Sequence, residues 1–156
     1  MADKIDGIDL RILALLQENT DRSVNDIADA VGLSQNACWR RIKILEEDGV
    51  VKKRVALLDP AKLGHGTTVF VMVKTGEHTV EWMEKFAAAV HAMPEIVEFY
   101  RMTGDVDYLL KLRVADIQGY DRVYKQLIKA VPLTDVSGAF AMEELKNTTA
   151  VPLPTP

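Results

Sequence analysis

Between residues 6 and 48, apolar positions recur at the spacing of three short helices. Ile8, Ile12, Leu15 and Leu16 form one stripe; Val24, Ile27, Ala28 and Val31 form a second at i, i+3, i+4 and i+7; Cys38, Ile42 and Leu45 form a third. Each stripe has its own start and stop. Asp6 with Asp9, Ser23 with Asp26, and Ser34 are the predicted N-caps, and the helices should end near Glu18, at Gly32 and at Gly49. Two short helices around a glycine-containing turn, with a leading helix to complete the core, make the helix-turn-helix pattern, although other helical pairs share the spacing. After Gly49, "VVKKRVALLD" alternates only partly and is expected to form a strand-like wing and linker.

The second half changes period. "TTVFVMVKT" (67–75) is β-branched and apolar, the mark of a buried strand. His78 to His91 carries Met83, Phe86, Ala87 and Val90 at helical spacing and stops before Met93–Pro94. "EIVEFYRM" (95–102) and "DYLLKLRV" (107–114) read as strands joined through Thr103–Val106. Asp116 should cap a helix with Tyr120, Val123, Leu127 and Val131 along one side, closed by Pro132, and Val136 to Leu145 suggests a last strand. The order is βαββαβ. "HAMPEIV" and "KAVPLTDV" echo each other, with Pro94 and Pro132 thirty-eight residues apart, as a duplicated βαβ unit predicts. The expected class is α+β: a winged helix-turn-helix in 1–54, a linker strand in 55–65, a ferredoxin-like half-barrel in 66–147, and an extended or flexible tail in 148–156, where three prolines fall in "TTAVPLPTP".

Composition narrows the setting. The longest nearly apolar run, Phe86 to Met93, is far too short to span a bilayer. "MADKIDGID" has no apolar h-region, and a single cysteine makes no internal disulfide. A cytoplasmic chain without membrane partners is expected. No Ser-His-Asp order, P-loop or GxGxxG is present, so an enzyme would lack both nucleophile and base. His65, His78 and His91 have no zinc spacing, and Asp105 with Asp107 is too little for a metal site, so neither metal nor cofactor is expected.

Charge sharpens the first half. The chain carries a net −4, yet residues 34–54 hold Arg40, Arg41, Lys43, Lys52, Lys53 and Arg54 against three acids. At about 100° per residue, a third helix that buries Cys38, Ile42 and Leu45 turns Asn36, Arg40, Lys43 and Glu47 outward. An amide, an arginine and a lysine on one face are groups that read base edges and phosphates of double-stranded DNA. Ser34, Gln35 and Asn36 open that helix, and Lys52, Lys53 and Arg54 could ride beside the phosphates. Two residues stay open. Arg41 either contacts phosphate or forms an internal ion pair, and Trp39 either flanks the DNA or packs on the first helix. Cys38 near two arginines invites a redox reading, but its place on the apolar stripe favours a buried small hydrophobe. A helical module that binds protein rather than DNA is the alternative, separable by its salt dependence.

"LSQNACWRRIKILEEDGVVKKRVALLDPAKLG" resembles the signature of the Lrp/AsnC family of transcriptional regulators, through Ser34, Cys38, Arg40, Arg41, Leu45, Glu46, Gly49, Val50, Asp59, Pro60, Leu63 and Gly64. "EWMEKF", "MPEIVEFYRMTGDVDYL" and "SGAFAMEELKNTT" are similar to the DecR-type branch, which is associated with sensing cysteine. The resemblance implies a DNA-binding regulator of amino-acid metabolism genes that responds to a small amino acid.

"MTGDVDYLL" has two readings of its own. It is either a hairpin turn with solvated acids or a site where a carboxylate and open backbone N–H groups receive an amino acid. The resemblance favours the second and implies effector contacts from Met102, Thr103, Gly104, Asp105, Asp107 and Tyr108, with Thr134, Asp135 and Ser137 as further candidates. A half-barrel has one sheet face to cover, so a homodimer is expected, and its two-fold axis would suit a pseudo-palindromic operator. The family further implies octamers of such dimers.

Overall fold

The computed structural model describes residues 5–154. Met1 to Lys4 of the expected DNA-binding domain, and the last two residues of the expected tail, lie outside the described residues. The chain divides into two compact units, one running up to Leu57 and resuming at Lys146, the other Leu58–Leu145.

The first unit is three helices, α1 (Gly7–Glu18), α2 (Val24–Val31) and α3 (Gln35–Glu47). Their starts are fixed locally. Asp6 and Asp9 form a reciprocal capping box, Ser23 and Asp26 form another, and Ser34 Oγ accepts from the Ala37 N–H. Gly32 ends α2 at φ 75°, a left-handed position that suits glycine. The three stripes meet in one core of Ile12, Leu16, Ile27, Ala28, Val31, Cys38, Ile42 and Leu45. Each Ile, Leu or Val removed from water there contributes about 1.5–3 kcal/mol, which makes this seam the main support of α3.

One expectation fails here. Residues 50–58 form no strand; the segment is irregular up to a 3-10 turn at Ala61–Leu63. A strand needs a neighbour for its N–H and C=O groups, and among the described residues none pairs with this segment. The tail carries no helix or strand in 146–154, and it is tied back at one point. Gln17 donates its amide N–H to the Val151 carbonyl and accepts the Val151 N–H, both at 3.0 Å, so the chain end returns to α1.

The second unit is β1 (Thr67–Lys74), α4 (Val80–His91), β2 (Ile96–Arg101), β3 (Tyr108–Val114), α5 (Ile117–Ala130) and β4 (Asp135–Phe140), an antiparallel sheet in the order β2-β3-β1-β4. Val69, Val71, Val73, Leu110, Leu112 and Val114 turn one sheet face into the core, against Trp82, Phe86 and Val90 of α4 and Val123 and Leu127 of α5. Trp82, not the expected Met83, points inward, on the same face as Phe86 and Val90 four and eight residues later, and α4 starts at Val80 with its cap at Thr79. The helix is two residues shorter at its start than predicted. The last strand also ends early, at Phe140. The other face of the sheet carries Phe70, Met72, Leu109, Lys111 and Tyr100, paired across β1, β3 and β2.

Candidate functional site

On α3 the buried edge and the outward face separate cleanly. Cys38, Ile42 and Leu45 are buried, whereas Gln35, Asn36, Trp39, Arg40, Lys43 and Glu47 are exposed. Trp39 is 53% exposed, so it does not pack away on the first helix. It lies one residue, about 100°, past Cys38, where the core has already ended. Burial pushes the Cys38 thiol up, which holds it as an unreactive thiol and removes the redox reading. Ser34 uses its hydroxyl to cap the helix.

The basic cluster is only partly free. Arg41 Nη1 lies 2.8 Å from Asp6 Oδ2 and 2.8 Å from Asp9 Oδ1, so of its two readings the internal ion pair holds. The Asp9 backbone N–H and then the Arg41 guanidinium keep the Asp6 carboxyl below its usual range. Glu46 accepts from Lys43 at 2.8 Å and from Arg54 at 2.9 Å, and the Lys43 ammonium keeps its carboxyl low as well. Among the described residues, Arg40, Lys52 and Lys53 stand in no ion pair and are exposed. Lys52 to Arg54 follow Gly49, whose φ of 72° turns the chain, and the Val51 N–H donates to the Leu45 carbonyl at 3.0 Å.

A second cluster gathers at one end of the sheet, where three loops meet. Asp107 accepts the Thr75 N–H on Oδ2 at 2.8 Å, while its own N–H donates to the Val73 carbonyl at 3.0 Å. The Met102 N–H donates to the Asp107 carbonyl at 2.8 Å, and the Thr134 N–H to the Lys74 carbonyl at 2.8 Å. Trp82 Nε1 donates to the Pro132 carbonyl at 3.0 Å, fixing the third loop from the core side. Met102, Thr103, Gly104, Asp105, Thr134 and Asp135 are all exposed around this junction, and Gly104 holds φ 104°, a conformation that L side chains rarely adopt.

Two expected contacts sit elsewhere. Tyr108 is buried, its ring 5.2 Å from Phe86 and 5.8 Å from Trp82, because it shares the inward parity of Leu110 and Leu112 on β3. Ser137 pairs with Met72 across the open sheet face. Thr75 to Glu77 were missed by sequence reasoning. Thr75 is buried, and its hydroxyl accepts the Glu77 N–H at 3.1 Å. The one available signal was a Thr-Gly pair closing an apolar strand. Among the described residues, no three His, Cys, Asp or Glu side chains come together as a metal would require, and no helix is long and apolar enough to cross a membrane.

Residues 5–52 match the winged helix-turn-helix DNA-binding family, and residues 68–151 match the Lrp/AsnC ligand binding domain. The chain is 53% identical over 154 residues to the glutamate uptake regulatory protein of Zymomonas mobilis, covering 99% of this chain and 94% of that protein. It is 47% identical over 150 residues to the DNA-binding transcriptional activator DecR of Escherichia coli, covering 96% and 99%. Among solved structures, an AsnC family transcriptional regulator from Agrobacterium tumefaciens superposes with a TM-score of 0.91 at 52% identity, covering 94% of this chain and 96% of that one. A transcriptional regulator from Neisseria meningitidis in complex with L-methionine superposes with a TM-score of 0.91 at 33% identity, covering 96% and 97%. These relatives are regulators, not enzymes. The chain belongs to the Lrp/AsnC family and is a DNA-binding transcriptional regulator with an amino-acid-binding domain.

Proposed function

We propose that the protein acts in the cytoplasm as a sequence-specific regulator of amino-acid metabolism genes whose DNA binding or assembly responds to a small amino acid bound at the three-loop junction. The observation that carries this reading is the junction itself. Exposed Asp105 offers a carboxylate to an ammonium group, the positive-φ Gly104 opens the backbone to a carboxylate, and Asp107 braces both from behind. The methionine complex of the Neisseria relative supports an amino acid as the ligand class. L-cysteine is the first candidate, from the resemblance to the DecR-type branch. Calorimetry with cysteine, methionine, leucine and glutamate tests it. Heat for cysteine is expected, and heat only for leucine or glutamate would move the protein to a differently tuned branch.

On DNA, we assign Gln35, Asn36, Trp39 and Arg40 to the base edges of a pseudo-palindromic operator, and Lys52 and Lys53 to phosphates. Arg40→Ala should cost about 1–3 kcal/mol of specific binding, because one good base-edge contact is worth that much. A footprint like the parent's at physiological salt would put another face of α3 in the groove. The open sheet face, with Phe70 and Tyr100 exposed, is assigned to a two-fold homodimer, and dimers to an octamer by family likeness. Sedimentation of the intact protein checks both.

A further inference from the structure

Glu46 sits where two of the cluster's cations converge. Oε2 takes Lys43 Nζ at 2.8 Å from one turn earlier on α3, and Oε1 takes Arg54 Nη2 at 2.9 Å from the segment after Gly49. A carboxylate with each oxygen on a separate cation offers those groups the same two-oxygen acceptor that a phosphate would. The neighbouring acid Glu47 is exposed and, among the described residues, holds no partner. The pairing is therefore particular to position 46.

The three side chains are 28%, 47% and 42% exposed, and ion pairs this open bias an equilibrium by no more than about fivefold. Such a pair cannot lock the cations away. It is strong enough to compete with a loosely placed phosphate, and too weak to hold against one fixed opposite Lys43 and Arg54 by base contacts from the same helix. We propose that Glu46 is a specificity-determining residue, an internal phosphate substitute that keeps Lys43 and Arg54 off random-sequence DNA and yields them when α3 is in register on its cognate site. This rests on α3 as the recognition helix.

The test is the salt dependence of binding to a random-sequence duplex, measured by fluorescence anisotropy with the intact protein. Each cation freed onto phosphate steepens the slope of log affinity against log salt by about 0.9. Glu46→Gln is expected to bind the random duplex more tightly, with a slope steeper by about 0.9–1.8 for one or two freed cations. Glu47→Gln, which removes the same charge from the same helix, should leave the slope at the parent's value. Adding Lys43→Gln and Arg54→Gln to the Glu46 variant should return the slope to the parent's. The same two changes in the parent should leave it nearly as it was. The proposal is overturned if Glu46→Gln behaves like Glu47→Gln, or if Lys43→Gln with Arg54→Gln flattens the parent's slope, since the cations would then already be on phosphate. A parent that binds no duplex DNA at low salt would overturn the recognition-helix reading itself, and this proposal with it.

Discussion

The Arg41 guanidinium lies 2.8 Å from the Asp9 carboxylate and so ties α3 to the first turn of α1. The Asp9 side chain is 11% exposed and that of Arg41 32%, so the pair is neither a surface ornament nor fully buried. Arg41→Ala should cost about 1–2 kcal/mol, between the values of exposed and buried pairs. The loss should appear as an earlier urea midpoint for the helical unit, followed by helix signal. An unchanged midpoint would mean that the core alone orients α3.

Acid should loosen the same unit. Asp6 is held low first by the Asp9 backbone N–H, Asp26 by the Ser23 hydroxyl, and Glu46 by Lys43. A carboxylate depressed in the fold binds its proton more readily once unfolded. Its stabilisation is therefore present above the ordinary carboxylate range and lost as pH falls through the depressed value. Thermal melting should drop below about pH 4, and Asp26→Asn should make that drop shallower. Equal pH slopes for parent and variant would contradict this.

Local signals were legible and non-local ones were not. The caps at Asp6, Ser23, Ser34 and Asp116 involve residues two or three apart, so the sequence carries them whole. The order βαββαβ followed from period and punctuation. Met83 was chosen over Trp82 because both fall at helical spacing from Phe86, three and four residues before it, and only the packing against the sheet decides between them. Tyr108 was drawn to the loop motif, although strand parity sends it inward. The linker strand was read from a partial alternation in "VVKKRVALLD", yet a strand is made by its partner. The roles of Thr75 and Glu46 depend on which segments meet in space, as did the choice between two fates left open for Arg41 and for Trp39.

Asp107 and Asp105 should fail differently. Asp107 accepts the Thr75 N–H, so Asp107→Ala should both weaken effector binding by at least about tenfold and destabilise the second unit by about 1–2 kcal/mol. Asp105 is exposed, and Asp105→Ala should weaken effector binding with the melting temperature unchanged. Calorimetry paired with melting curves separates the two. If Asp105→Ala binds like the parent, the ammonium goes elsewhere.

Gln17 is the hook for the chain end. Gln17→Ala removes both hydrogen bonds to Val151 and should cost about 1 kcal/mol at this exposed site. Limited proteolysis should then clip the tail faster while the core of each unit persists. Cleavage at the parent's rate would show that other contacts hold the tail.

One small amino acid and DNA should be coupled through this chain. The direct measurement is a pair of titrations: duplex DNA selected by the protein, bound with and without saturating L-cysteine, and L-cysteine bound with and without that duplex. Coupling between two sites is reciprocal, so both affinities should shift by the same factor, within about 5–150-fold, and Asp105→Ala should raise the cysteine concentration needed for the shift. Coupling is ruled out if none of the twenty amino acids changes either DNA affinity or assembly.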